Sequence, residues 1–317
     1  MPADNLAVAT TADLDRLFDS VKNWERWGAE DERGALNHQT DAHRATAAAL
    51  VRDGHLVSLA HDLPLQPSAE TPFPAHHHML ASGDALDATG LPGYEACGDY
   101  IGTQVHGLGL THIDALSHMF VGGRMYNDRP PSDVRSTGAR RNTVMALRDG
   151  LMGRGVLLDV PAVRGVEFLE PETPIGVADL ESAETDAGLA VGAGDFLLVS
   201  TGRDARRRAA RGRLDPIGAG LAGLDPSCLP WLHEREVALL GSDGISDRMP
   251  FGQTPNWPFP IHQIGITAMG LHLIDNMHLE PLASACATWK RWEFLLTVNP
   301  LRIPGGTGCP VNPVAAL

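Results

Sequence analysis

Between His106 and His118 the chain reads His-Gly-Leu-Gly-Leu-Thr-His-Ile-Asp-Ala-Leu-Ser-His, which places three histidines and a carboxylate at His106, His112, Asp114 and His118. Imidazole nitrogen and carboxylate oxygen are ligands that Zn²⁺ and Mn²⁺ both accept. Imidazole is also the side chain whose charge changes near neutral pH. In an extended chain these even-numbered positions share one face. A helix would bring together only Asp114 and His118, four apart, and Gly107 and Gly109 weigh against a helix. The other residues of the stretch are largely apolar (Leu108, Leu110, Ile113, Ala115, Leu116). Burying four such polar groups without a cation would leave a carboxylate unpaired among hydrophobes, which is costly. The spacing predicts an extended wall carrying a metal or proton-transfer centre.

A second carboxylate sits in similar surroundings. From Ile264 to Leu273 the chain is apolar except for Thr267 and His272, and Asp275 closes the run. Gly265 and Gly270 leave open whether this is one helix or a helix followed by a strand. A buried carboxylate needs a partner, and a cation shared with the 106–118 wall would serve. The stiff segment from Pro255 to Pro260, with Trp257 and Phe259 inside it, leads into His262.

Thr111-His-Ile-Asp-Ala-Leu-Ser-His118 is similar to the Thr-His-x-Asp-Ala-x-x-His core of the cyclase-like metal-dependent hydrolases, a family that includes bacterial kynurenine formamidase and isatin hydrolase. The resemblance runs through nearly the whole chain. Trp27-Gly-Ala-Glu-Asp-Glu-Arg-Gly-Ala-Leu-Asn37 resembles the opening segment of the family's longer members. Gly241-Ser-Asp243, and Pro260-Ile-His-Gln263 through Leu273-Ile-Asp-Asn276, resemble its later signatures. Arg302 to Pro313, with its Gly-Gly-Thr-Gly, resembles its closing segment.

The resemblance implies a swivelling β/β/α-type fold, a homo-oligomer, and hydrolysis of an amide or lactone bond in a small cyclic or aromatic compound. It also implies a ligand set of His106, His112, Asp114, His262 and Asp275 for one divalent metal, zinc or manganese. Two positions depart from the pattern. The family's first ligand falls four residues before His112, where this chain has Leu108, and His106 takes that place by strand parity. The late carboxylate is usually glutamate, and here it is Asp275. His118 is left over from coordination by the family pattern, and an ordinary imidazole pKa of ~6.5 suits it to proton transfer. The metal would acidify its water and polarise the scissile carbonyl. Candidate substrate contacts are Trp27, His78, Tyr126 and Trp257, with packing as the competing role for Trp27 and Tyr126 and a polar loop or edge strand for His78. Two other classes stay open: a polyketide-type cyclase or dehydratase working by enolisation, and a catalytically silent binding paralogue.

The chain has 317 residues, 43% of them hydrophobic, enough for one large core. A net charge of −14 disfavours nucleic acid or anionic membrane as general partners. The one basic run, Arg203 to Arg213, reads as a solvated face, and no aromatic residue interleaves it for base stacking. Cys97, Cys228, Cys286 and Cys309 are widely spaced, which suits reduced thiols in a cytoplasmic protein. The chain starts without a basic-then-apolar signal pattern and lacks any run of eighteen apolar residues. A Gly-x-Ser-x-Gly elbow and a dinucleotide fingerprint are both absent.

These groups must be positioned by alternating elements. Helical spacing follows Thr11 (Leu14, Leu17, Phe18, Val21), and an alanine-rich helix spans 39–53. Strands are predicted at 55–60, 155–160, 195–202, 237–241 and 293–298, and helices at 177–185, 227–235 with Ser227 as cap, and 283–287. His76, His77 and His78 read as a polar loop or edge strand. Asp243, at a strand's carboxyl end, either orients a pocket histidine or caps the next turn. Together these give an α/β fold with a mixed sheet. The expected organisation is a single domain over 1–317, with 1–54 as a helical extension packed on it.

Overall fold

The structure is a computed structural model that describes residues 10–84, 91–250 and 254–317. Its strands in chain order begin with β1 (Leu56–Ser58), β2 (His76–Ala81), β3 (Gly98–Gly102), β4 (His112–Asp114), β5 (Val134–Arg135) and β6 (Gly138–Ala139). They continue with β7 (Leu151–Asp159), β8 (Phe196–Ser200), β9 (Leu239–Ser242), β10 (His272–Asp275), β11 (Glu293–Val298), β12 (Gly308–Pro310) and β13 (Val314–Ala316). The α-helices are α1 (Thr11–Ser20), α2 (Asp41–Ala48), α3 (Val160–Arg164), α4 (Val177–Ala187), α5 (Arg203–Ala209), α6 (Cys228–Glu234), α7 (Pro260–Ile264) and α8 (Glu280–Trp289).

Nine strands form one mixed sheet in the order β1-β13-β11-β7-β8-β9-β10-β4-β12. Its centre, β7 to β10, is parallel, and antiparallel strands extend it on both sides. The central strands carry apolar side chains to both faces, because both faces are covered. Val156, Leu158, Leu197, Val199, Leu240 and Leu273 face a layer containing α1, α4, α6 and α7. Leu157, Phe196, Leu198, Leu239 and Ile274 face the opposite layer, which holds α8 and the chain's last residue, Leu317. This is a mixed α/β domain, as the alternation of elements predicts.

Several local readings shift. Thr10, not Thr11, caps α1, through a reciprocal box with Asp13. The second helix is shorter than 39–53 and is capped by Thr40. Ser227 makes no capping bond to α6. The apolar run after His262 resolves into α7, a π-helical turn (Gly265–Met269), Gly270 at φ +68°, and then β10. The basic run is not a solvated face at its start. Arg203 and Arg206 are buried in α5, with Arg203 on Glu70 at 2.6 Å and Arg206 on Glu170 at 2.9 Å. The four cysteines are free, and three of them are buried. Among the described residues no helix is long and apolar enough to cross a membrane.

Candidate functional site

Strand alternation builds half of the site. β4 pairs antiparallel with β10, with Asp275 opposite His112 and Ile274 opposite Ile113. Ile113 and Ile274 point into the α8-side layer, so His112, Asp114 and Asp275 all point to the other face. On that face lies α7, whose Ile261 and Ile264 are buried in the core while His262 turns toward the strands. Four groups from three elements therefore converge. Asp114 Oδ1 is 3.5 Å from His112 Nε2, Asp114 Oδ2 is 3.5 Å from His262 Nε2, and His262 Nε2 is 3.1 Å from Asp275 Oδ2.

The rest of the 106–118 stretch does not follow the expected extended wall. Only His112 to Asp114 is strand, and His106 and His118 reach the site through bends on either side of it. His106 Nδ1 lies 2.8 Å from Asp114 Oδ1, and its Nε2 lies 3.0 Å from the Thr307 hydroxyl. Gly308 gives it room, since a Cβ there would stand 2.7 Å from His106 Cε1. His118 arrives through a turn closed by its own N–H on the Ala115 carbonyl. Its ring stacks flat on His106, with centroids 3.7 Å apart, and stands 6.5 Å from the His262 ring.

Second-tier contacts fix the ring orientations. His112 Nδ1 is 2.8 Å from the Leu110 carbonyl and donates to it, which leaves Nε2 facing Asp114. Asp247 Oδ2 accepts from His262 Nδ1 at 2.6 Å and from the His262 N–H at 3.0 Å, while its Oδ1 accepts the Ile261 N–H at 2.7 Å. Such partners on the far nitrogen are how metal-ligating histidines are usually held. Sequence reasoning missed Asp247. Its signal was a carboxylate just ahead of the Pro255–Pro260 segment, but Asp243 nearby offered the same signal. Asp243 instead accepts from the Thr201 N–H and hydroxyl and the Arg203 N–H, so it caps the turn into α5.

The charge balance is unusual for a buried site. Burial alone would lower the His112 pKa, but the hydrogen bond and charge of Asp114 and the charge of Asp275 lift it to about 9. His262 is raised well above its ordinary value in the same way, by Asp275, Asp114 and Asp247 against burial. For Asp114 burial acts upward, yet the imidazoles of His106, His112 and His262 around it hold it well below the usual carboxylate range. His118 goes the other way: burial, together with its histidine neighbours, outweighs Asp114 and pushes it down to about 4. Among the described residues Asp114 Oδ2 and Asp275 Oδ1 are buried with no hydrogen-bond partner, and the 3.5 Å approach of His262 to Asp114 Oδ2 is too long for a good one. Unpartnered carboxylate oxygens beside imidazole nitrogens fit a divalent cation. His106, His112 and Asp114, and likewise Asp114, His262 and Asp275, can each present ligand atoms within 4.8 Å of one another.

A cavity of about 210 Å³ opens beside His106. Its walls include Phe73, Val105, Leu108, Leu110 and Ile217, with Glu70 among the few polar groups. None of the four aromatic or histidine residues expected to touch substrate lines it. Tyr126 is fully buried and donates its hydroxyl to Asp31 Oδ2 at 2.9 Å. Trp257 is buried against Phe18, with Nε1 on Asp15 at 3.0 Å. Trp27 packs edge-on against His38. His78 stacks on Tyr100 in the β2–β3 ribbon, which among the described residues forms a two-stranded sheet of its own. The polar tips of Tyr126 and Trp257 find carboxylate partners, Asp31 half-buried and Asp15 exposed, and both rings pack in the core.

The sheet, and the histidines and carboxylates gathered on its α7 side, define a class. The chain belongs to the Cyclase family, described as "putative cyclase", whose model matches residues 57–247. A crystal structure described as a novel cyclase is similar at 30% identity, covering 93% of this chain and 99% of that one, with a TM-score of 0.83. Isatin hydrolase A from Ralstonia solanacearum shares the fold at 23% identity and TM-score 0.60, over 87% of this chain and 97% of that one. An isatin hydrolase bound to the product analogue thioisatinate shares it at 18% identity and TM-score 0.59, over 85% and 94%. No curated protein matches.

Proposed function

We propose that this chain is a metal-dependent hydrolase opening an amide or lactone bond in a small, largely apolar compound. His112, Asp114, His262 and Asp275 would hold its divalent cation, zinc or manganese. The observation that carries this reading is the meeting of two sequence-distant segments around two carboxylate oxygens, Asp114 Oδ2 and Asp275 Oδ1, that have no partner among the described residues. When bound there, the cation supplies Lewis-acid polarisation of a carbonyl and a more acidic water.

The chain's own residues do the rest. Asp247 and the Leu110 carbonyl keep protons on the far nitrogens of His262 and His112, so both Nε2 atoms are presented inward. His106 can join through Nδ1 by giving up its bond to Asp114. His118, held proton-free at neutral pH, accepts a proton from the attacking water and returns it to the leaving nitrogen or oxygen. The apolar cavity beside His106 receives the substrate's body and excludes water from the reacting bond. Membership in the family and the isatin hydrolase folds support the reaction class.

Metal analysis after supplemented expression, with turnover measured on N-formyl aromatics, cyclic imides and lactones, tests the proposal. About one metal per chain and hydrolysis of at least one class are expected, and His118→Ala should keep the metal and lose turnover. Less than about 0.2 metal per chain would overturn it, and product cyclised or dehydrated rather than hydrolysed would replace it with enolisation chemistry.

A further inference from the structure

We propose that Asn276 is a positioning residue for this centre, its side-chain amide fixing the 107–110 segment and, through the Leu110 carbonyl, the ring of His112. This rests on the metal-site reading above. Asn276 directly follows Asp275 and is fully buried at φ +56°, a left-handed conformation that asparagine tolerates better than most side chains.

The need for such a residue follows from where the sheet stops. Residues 107–110 bend away before β4 begins, so their carbonyls have no ladder partners, and buried carbonyls must find donors elsewhere. Asn276 Nδ2 supplies two hydrogens, to the Gly107 carbonyl at 2.8 Å and the Leu110 carbonyl at 3.1 Å. The Leu110 carbonyl is the same oxygen that accepts from His112 Nδ1 at 2.8 Å. One amide hydrogen therefore holds the acceptor that decides which His112 nitrogen faces the carboxylates.

Asn276 is itself held at every other polar atom. Its Oδ1 accepts from Arg203 Nη1 at 2.6 Å, its carbonyl accepts from the Thr111 hydroxyl at 2.7 Å, and its N–H donates to the Gly244 carbonyl at 2.7 Å. Arg203 extends the bracket to both walls of the cavity, donating from Nη2 to the Leu108 carbonyl at 2.5 Å and to Glu70 Oε1 at 2.6 Å. The residue after one proposed ligand thus sets the orientation of another, and the same contacts shape the wall beside His106.

Two variants separate the amide from the backbone. Asn276→Gly keeps the left-handed conformation and removes the side chain. Asn276→Asp keeps an oxygen for Arg203 but turns an acceptor toward the two carbonyls. In both, zinc affinity by chelator competition should fall about 10- to 100-fold, the usual cost of losing an outer partner, and the loss should appear in kcat more than in KM. In the metal-free protein, the His112 Nδ1 proton should be slow to exchange in the wild type and fast in both variants, a readout that general loosening elsewhere would not produce. Folded variants with zinc affinity within about threefold of wild type, or with unchanged exchange at His112, would overturn the inference. Loss of folding in both would overturn it too, making Asn276 a residue of the scaffold alone. If the wild-type protein takes up no cation, the functional reading fails, while the exchange measurement still decides the role of Asn276.

Discussion

Metal affinity in this protein is expected to climb steeply with pH. The perturbation is a change of pH alone, between 6 and 9. With no cation, Asp114 and Asp275 draw protons onto the histidines around them and lift His112 to about 9, with His262 well above its ordinary value. His112 keeps its Nδ1 proton on the Leu110 carbonyl, so the extra proton sits on Nε2, where a cation must bind. At pH 7 the gap of roughly two units for His112 costs an incoming ion ~2.7 kcal/mol, about a hundredfold in affinity. His262 must also release a proton, so apparent affinity should rise between about tenfold and a hundredfold per pH unit across this range. Asp114, held well below the usual carboxylate range, is already ionised and adds nothing to the slope. Competition with a chromophoric chelator at pH 6.5, 7.5 and 8.5 measures the slope. Calorimetry in buffers of different ionisation enthalpy counts the protons, with one to two per ion expected near pH 7. An affinity that changes by less than about threefold between pH 6.5 and 8.5, without proton release, would mean that the histidines bind no ion or carry no protons to displace.

Asp247→Asn should lower zinc affinity by about 10- to 100-fold, because His262 loses the carboxylate on its far nitrogen, and chelator competition checks it. Gly34→Ala should destabilise the fold by on the order of 2 kcal/mol or more in urea unfolding. Gly34 has φ +57°, and a Cβ there would lie 2.7 Å from the Gly270 carbonyl carbon and collide with its oxygen. The metal-free protein should lose stability as pH falls from ~6.5 to ~4. His272 is pushed by burial down to about 4, as is His118. In that window the unfolded chain binds the proton and the folded chain refuses it, so each such histidine costs up to about 1.4 kcal/mol per pH unit. His112 and His262 are protonated in both states there and do not offset the loss. A flat urea midpoint between pH 6.5 and 4.5 would contradict the burial argument.

How much of this site the sequence carried depends on which force places each residue. His112 and Asp114 were readable because a strand's period of two is a local property, and the same rule held for Ile113 and Ile274 on the opposite face. Asp275 was readable because a carboxylate closing an apolar run must find a partner, and His262 through family resemblance. His106 and His118 do reach the centre, but parity was the wrong reason for it. The chain leaves the strand on both sides, and turns bring them in, with Gly308 making room for the His106 ring. For Tyr126 and Trp257 the residue types do not separate substrate contact from packing, because an aromatic ring with a polar tip reads alike in a pocket and in a core. What separates the two is where the chain folds a partner for the tip, here Asp31 and Asp15, each far away in sequence.

The same limit explains the pair of carboxylates at 243 and 247. Both follow β9 in a short polar segment, and either could serve a turn or a histidine. Asp243 points back across the sheet to the end of β8, where the turn at Thr201 and Arg203 offers three donors. Asp247 lies where α7 begins, so one carboxylate caps that helix and seats its histidine at once. All three donors on Asp243 come from that turn, and none of them is an imidazole. Exchanging the roles would require α7 to begin beside the end of β8 instead of beside Asp247. The choice between the two is therefore made by topology, and a sequence motif at this point identifies the chemistry available without identifying which carboxylate delivers it.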